Sequence, residues 1–307
     1  MSSQRATAFV PGHVTALFSA HPDDDPAVAG SRGAGVTLTD GVTVRVSAVD
    51  AGETAAGDGG SATSGTEAAT ADPDAGGTTT IDGEPGSIGA VDDALAELGV
   101  AADVAVETDL PIGAGFGVSG AAALGTALAA NDAFGRGRSG NELVRIAHAA
   151  EVGRGTGLGD VVAQARGGVP IRLEPGAPGI GALDGVPATA RVEYVTFGEL
   201  STERVLGGDT ETLSAAGEQA LDRLRADPRL PTLMDAARTF ARDADLLVPE
   251  VAEAIDAVEA AGGEAAMAML GRTVFALDTG LSDAGYDPEA CRVDAAGARL
   301  VDDRGRE

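Results

Sequence analysis

Pro111 to Asn131 reads PIGAGFGVSGAAALGTALAAN, with Gly113, Gly115 and Gly117 at alternate positions. The run follows a segment patterned like a strand and leads into small helix-forming residues. Glycine permits positive φ and lets backbone N–H groups approach a ligand closely. A helix start adds unpaired N–H groups and the positive end of the helix dipole. Together these suit a phosphate. Ser119, in the first turn, could hold a phosphate oxygen or Mg²⁺. Two other phosphate loops do not fit. A Walker loop needs Lys after its last glycine, and this chain has no Lys. A Rossmann turn needs G-x-G-x-x-G with an acidic residue about 20 positions on. Here the spacing is G-x-G-x-G and an Ala-rich helix follows. The structural alternative is a tight turn packed under a small-residue helix.

Two acids stand in a related setting. Glu151 ends NELVRIAHAAE, and Asp160 opens GDVVAQARGG after the glycine-rich GRGTGLG. That turn can fold back and bring both carboxylates to one site. Phosphoryl transfer asks for a held nucleotide, a bridging metal, an aligned nucleophile and a group that orients its proton. Arg172, flanked by apolar residues in VPIRLE, could pair bidentately with a carboxylate. His148 lies one turn before Glu151 on the same helix face and could donate to a substrate. Arg32 and Arg154 are further candidate contacts for a carboxylate or phosphate.

The elements that must position these residues follow from periodicity. Val36, Leu38, Val42, Val44 and Val46 alternate with polar residues, predicting a strand over 34–49 with a turn at Asp40-Gly41. Residues 51–80 carry no large apolar side chain and read as a flexible surface insertion. A helix is expected over 86–99, closed by Gly99, then the strand VAADVAVETDLP. Asn141 is the expected N-cap of the helix that carries Glu151. A short helix, GDVVAQARGG, and the strand VPIRLE follow. The Pro/Gly-rich stretch 175–187 is the expected boundary between a domain 1–175 and a domain 186–307. Beyond it come the strand ARVEYVTFG and helices near 209–226, 231–245 and 249–261. Residues 264–270 read as strand, and RTVFAL as helix or strand. The tail CRVDAAGARLVDD reads as two short strands around Ala295-Ala296-Gly297. Strands and helices mix without regular βαβ alternation, which predicts an α+β fold.

The glycine run P-x-x-x-G-F-G-x-S-G-A, Pro111 to Ala121, resembles the phosphate loop P-x-x-x-G-L-G-S-S-A of the GHMP kinases. Phe116 takes the Leu place, Val118 replaces the first Ser, and Ser119 keeps the second. PIGAGFGVSGA, VPGHVTALFS (Val10 to Ser19) and GDVVAQARGG are similar to the archaeal pantoate kinases within that superfamily. The resemblance spans roughly 8–275 without the insertion. It implies the GHMP kinase fold. That fold has an N-terminal α+β domain like the second domain of ribosomal protein S5 and a smaller C-terminal α+β domain. It further implies ATP held by Pro111, Gly113, Ala114, Gly115, Phe116, Gly117, Val118, Ser119 and Gly120. Ser119 and Glu151 would hold Mg²⁺, and Asp160 would take the acceptor proton. Ser31, His148, Arg172 and Thr202 would surround the acceptor. Pantoate carries a carboxylate, two hydroxyls and a gem-dimethyl group, so its pocket needs a cation, polar groups and an apolar wall. The product would be 4-phosphopantoate, on the way to coenzyme A. Many GHMP kinases place a Lys near the N-terminus where this chain has His13. The third glycine motif is reduced to GGEAAMAMLG, Gly262 to Gly271. Two alternatives stay open. One is a GHMP kinase for homoserine, mevalonate or a shikimate-like acid; the other is a nucleotide-binding regulator without turnover.

Composition sets the surroundings. The chain has 48 acidic residues against 21 arginines and a formal net charge of -27. This resembles cytosolic proteins of salt-loving archaea. In molar salt the Debye length falls to ~3 Å, so surface carboxylates repel one another little. In dilute buffer the same charges should push the fold apart. The balance argues against nucleic-acid binding, which needs a basic footprint. Cys291 is the only cysteine, so no intrachain disulfide forms. No signal peptide or membrane span is read, and a cytoplasmic location is expected. The expected partner is a small molecule, with a homodimer as the possible assembly.

Overall fold

The computed structural model describes residues 4–49, 77–198 and 210–302. The chain opens with β1 (Arg5–His21) and β2 (Gly30–Ala48), which pair antiparallel along almost their whole length. Next come β3 (Thr79–Ile81), β4 (Glu84–Pro85), α1 (Gly89–Leu98) and β5 (Ala102–Thr108). The glycine run leads into α2 (Val118–Ala133), followed by α3 (Gly140–Gly153), α4 (Asp160–Arg166), β6 (Val169–Glu174), β7 (Ala182–Val186) and β8 (Arg191–Thr196). The remainder is α5 (Glu211–Ala226), α6 (Leu230–Asp243), α7 (Pro249–Ala260), β9 (Ala265–Ala268), β10 (Thr273–Leu277), α8 (Gly280–Asp283), β11 (Glu289–Arg292) and β12 (Arg299–Val301).

Two sheets result. The larger runs β12-β1-β2-β5-β3-β4, with β6 on β2 and β7 on β6; the smaller runs β11-β8-β10-β9. Helix α2 is buried on nearly every side, between the long hairpin and α1 and α3. Its alanines and glycines make that possible, because small side chains let backbones approach. The core is built from Ala, Val and Leu, and Val14, Val36, Val42 and Val44 are wholly buried. Each such side chain contributes about 1.5–3 kcal/mol relative to exposure. Phe18 meets Phe240 edge to face at 5.7 Å, joining the hairpin to α6.

The register of the long hairpin shifts between Pro11 and Gly12, and again between Thr15 and Leu17. Pro11 has no N–H to offer a ladder. Such irregularities re-aim side chains, and these two flank His13 and Thr15. No turn breaks the chain at Asp40-Gly41: β2 continues through it, and Thr39 and Asp40 are the unmatched residues at the first register shift.

The fold is α+β, as expected, and the helices and strands fall close to their predicted spans. Several local expectations need correction. Ser139, not Asn141, caps α3: its hydroxyl accepts from the Glu142 N–H at 3.3 Å, and the Glu142 carboxylate accepts from the Ser139 N–H at 2.9 Å. This reciprocal box satisfies two otherwise unpaired donors. Residues 79–80, read as the end of a flexible insertion, form strand β3 and pair parallel with β5. Their β-branched side chains suit a strand, here one paired on both sides, with β5 and β4. Residues 51–76 of that insertion lie outside the described residues. Within the stretch 175–187, β7 forms and pairs with β6 in the larger sheet. The two tail strands do not pair with each other: β11 joins β8, and β12 returns to β1 in the larger sheet. RTVFAL resolves as strand β10.

Candidate active site

The site forms where the start of α2, the end of α3 and the start of α4 meet the bent part of β1. Gly113, Gly115 and Gly117 all take positive φ, at 78°, 93° and 65°. Gly117 is the N-cap of α2, with no side-chain cap and no acidic residue in the first turn. The first N–H groups of α2 therefore face no competing anion from their own helix. An alanine at Gly117 would be strained by its φ, and its Cβ would fall 2.9 Å from the Gln164 amide nitrogen. The Gln164 side chain donates to the Gly117 carbonyl at 2.9 Å, tying α4 to the loop.

The reduced third glycine motif backs this loop. The Met269 N–H donates to the Thr15 carbonyl at 2.8 Å. The Thr273 hydroxyl donates to the Ala114 carbonyl at 2.8 Å. Phe116 stacks edge to face on Tyr194 at 4.8 Å, so the smaller sheet supports the loop from behind.

Ser119 and Glu151 meet, as the family resemblance implied. The Ser119 hydroxyl donates to Glu151 Oε2 at 2.9 Å. The GRGTGLG turn does fold back. A Cβ placed on Gly157 would lie 3.0 Å from Glu151 Oε1 and 3.1 Å from Asp160 Oδ2, so both carboxylates converge on that glycine. Burial pushes the Glu151 carboxyl up to about 7, with the nearby Asp160 charge adding and the Ser119 hydroxyl opposing. Asp160 behaves differently. Burial works to raise it, but the hydrogen bond from His13, the charge of Arg172 and the Thr15 hydroxyl hold it below the usual carboxylate range. His13 Nδ1 lies 2.7 Å from Asp160 Oδ1. The Asp160 side chain keeps 22 % exposure, so a ligand can reach it. One acid is thus ionised in neutral solution and the other sits near its titration point.

The Glu151 shift has a consequence for stability. A carboxyl whose folded pKa lies above its unfolded value stabilises the fold at low pH and loses that contribution as pH rises through the folded value. For Glu151 the window runs from 4.5 to about 7. The accumulated difference is about 3 kcal/mol. In urea titrations of protein free of metal and nucleotide, Glu151→Gln should therefore gain on the wild type by about this amount between pH 5 and pH 8. A gap that stays constant over that range would disprove the burial argument.

Arg172 lies on β6 beside Ser31 of β2. It is 2 % exposed, and its Nε and Nη1 have no hydrogen-bond partner among the described residues. Gly159 is what lets the three backbones meet: a Cβ there would sit 2.6 Å from Ser31 Oγ and 2.7 Å from Arg172 Nε. Burial lowers the Arg172 pKa, and the Asp160 charge opposes this. A buried guanidinium with open donors is costly unless an anion completes it. The Ser31 hydroxyl donates to the Leu158 carbonyl at 3.3 Å. His148 is buried with Nε2 at 3.0 Å from the Ala29 carbonyl, so that edge of its ring ties α3 to the approach to β2. Burial lowers its pKa, the Ala29 contact opposes this, and Arg172 lowers it further. Thr202 lies outside the described residues.

The two reserve arginines lie elsewhere. Arg154 makes a two-pronged pair with Asp93 at 2.6 and 2.7 Å, joining α3 to α1. Arg32 pairs with Glu218 of α5 at 2.5 Å and donates to the Leu173 carbonyl at 2.7 Å. Glu218 also accepts from Ser19 at 2.5 Å. Nothing in the sequence singled out Glu218, one acid among 48. His13 was noted only for its place in the chain, and its contact with Asp160 spans 147 positions.

Chemically, the site offers a helix start for phosphates, two hard oxygen donors in Ser119 and Glu151, an ionised carboxylate, and a buried cation with open donors. Among the described residues no cluster of three or more His, Cys, Asp or Glu side chains could enclose a metal ion. The Ser119–Glu151 pair fits Mg²⁺ nonetheless, because that ion commonly takes one or two carboxylates and completes its shell with waters and substrate phosphates.

Comparison with known proteins fits this geometry. Residues 87–168 match the family model for the GHMP kinases N terminal domain. The chain is 35% identical over 283 residues to a pantoate kinase of Thermococcus kodakarensis, covering 88% of this chain and 86% of that protein. It is 33% identical over 286 residues to a pantoate kinase of Methanospirillum hungatei, covering 90% and 89%. A solved structure described as a phosphotransferase related to the CoA biosynthesis pathway superposes with a TM-score of 0.80 at 29% identity, covering 97% and 98%. Mevalonate diphosphate decarboxylase from Staphylococcus aureus superposes at 0.71 with 14% identity over 97% and 98%, a likeness of fold alone.

Proposed function

Because the chain belongs to the pantoate kinases, a family of GHMP kinases, we propose that its site transfers the terminal phosphoryl group of ATP to the primary hydroxyl of pantoate. The products are ADP and 4-phosphopantoate, in the route to coenzyme A. The observation that carries the assignment of the acceptor site is Arg172, a buried cation with two open donors beside Ser31 and Asp160. A small hydroxy acid completes it: its carboxylate pairs with the guanidinium while its hydroxyl faces Asp160.

In this reading the residues from Pro111 to Gly120 cradle the triphosphate through backbone N–H groups of the loop and the α2 start. Ser119 and Glu151 would hold Mg²⁺, which when bound neutralises charge on the phosphates. Asp160, kept ionised, takes the proton of the attacking hydroxyl through its open oxygen. Arg172 fixes the substrate carboxylate, and Ser31, His148 and Thr202 complete the wall around the acceptor. With no Lys in the chain, no ammonium group shares this work. For domain limits we propose an N-terminal unit holding the long hairpin, α1–α4 and β5–β7, and a C-terminal unit beginning with β8. The last strand, β12, crosses back to the first unit. No helix of the described residues is long and apolar enough to cross a membrane. A salt-rich cytoplasm is the setting that suits a net charge of -27.

A coupled assay for ADP release, in molar KCl with MgATP, tests the substrate. Pantoate should be turned over at least tenfold better, in kcat/KM, than homoserine, mevalonate or shikimate. Homoserine turned over equally well would reject pantoate as the acceptor, and no ADP release with any acceptor would favour a regulator.

A further inference from the structure

We propose that His13 is a positioning residue, which holds the Asp160 carboxylate in a fixed place relative to the phosphate loop. The inference rests on the phosphoryl-transfer reading above and adds a residue to it. Two separate hydrogen bonds point to the role. The His13 main-chain N–H donates to the carbonyl of Phe116, inside the glycine loop, at 3.0 Å. Its side-chain Nδ1 lies 2.7 Å from Asp160 Oδ1, at the start of α4. One residue therefore bridges the loop that cradles phosphate and the carboxylate that faces the acceptor. The backbone pairing around it is irregular on each side, with shifts in the β1–β2 register after Pro11 and after Thr15.

The tautomer follows from the partners. An ionised carboxylate only accepts, so Nδ1 carries the proton and donates to Oδ1. The ring is wholly buried, and Nε2 has no partner among the described residues. Burial lowers the His13 pKa, against the pull of Asp160 and with the push of Arg172. A neutral ring with Nε2 bare is the state that results. The groups facing the pair are Thr15 on β1, Arg172 on β6 and Glu151 on α3. Holding Oδ1 leaves Oδ2, which points toward Gly157 and Glu151, as the oxygen open to a hydroxyl.

Two polar substitutions separate this role from simple packing. The amide of Asn can stand near the position of Nδ1, whereas that of Gln reaches the position of Nε2. His13→Asn should keep kcat within tenfold of the wild type. His13→Gln should lower kcat by about 10²-fold, the low end of what a proton-transfer group contributes. KM for ATP and for pantoate should change less than threefold in both. Equal kcat in the two variants, or a loss confined to KM, would overturn the proposal. A wild type that does not phosphorylate pantoate would instead remove the premise. Nitrogen NMR of the wild type gives a check that needs no variant, since the chain has only 3 histidines. His13 should show a protonated Nδ1 and a bare Nε2 at neutral pH, and the opposite tautomer would refute the bridge.

Discussion

Asp160→Ala should lower kcat for pantoate phosphorylation by about 10³-fold while leaving nucleotide affinity within about threefold, the loss falling in the range for general acid–base groups. The reason lies in where the carboxylate sits. It is held by His13 and Thr15 at Oδ1, it is kept ionised, and its open oxygen, Oδ2, points toward Gly157 and Glu151. The phosphate cradle belongs to the backbone of the loop and of α2, which the substitution does not touch. Binding of a non-hydrolysable ATP analogue, followed by calorimetry, should therefore survive. The charge change adds a second signature. With Asp160 gone, Arg172 loses its nearest anionic neighbour, so pantoate should bind the variant at least as tightly as the wild type. A variant retaining more than a tenth of wild-type kcat would end the assignment of Asp160 as the proton acceptor. A protein whose role is regulatory would tolerate the change.

Arg172→Met should raise KM for pantoate by about 10²–10³-fold, because charged hydrogen bonds contribute about 1.5–3 kcal/mol each and the guanidinium can make two of them. KM for ATP should stay near its wild-type value. Stability should move the other way. The guanidinium is buried with Nε and Nη1 unpaired, and replacing a buried charge by a fitting apolar side chain is often neutral or stabilising. The unliganded variant should therefore melt no lower than the wild type, and the wild type should gain more from added pantoate. Arg172→Lys keeps the charge but loses the planar fork, and should recover little of the affinity. A Met variant that melts well below the wild type, with both KM values raised alike, would make Arg172 a structural cation and leave the acceptor pocket without its anchor.

The chemistry-bearing segments differ in how far each could be read along the chain. The glycine loop was legible because its requirement is local. Positive φ at Gly113, Gly115 and Gly117 and a helix start just after them are set by neighbours in sequence. The pairing of Ser119 with Glu151, and of Glu151 with Asp160 over Gly157, was half legible. The GRGTGLG turn permits convergence, and only the packing of α2 against α3 and α4 makes it happen. The cap of α3 was misassigned by two positions, since Ser and Asn both satisfy a helix start and the reciprocal bond to Glu142 decides between them. The tail strands were recognised but their partners were not, because pairing joins segments far apart in the chain.

Sequence alone determined the makeup of the proposed site: a glycine loop at a helix start without Lys, two acids flanking a glycine turn, an arginine in an apolar strand, and a composition dominated by carboxylates. Each of these is a matter of residue type and short spacing, which local sterics and charge translate directly. The tertiary structure decided which groups are coupled. It placed His13 on Asp160, left Arg172 buried with open donors, and brought β12 back to the first sheet. Those outcomes depend on burial and on contacts across long stretches of chain, which cost loop entropy and are settled only when the core closes.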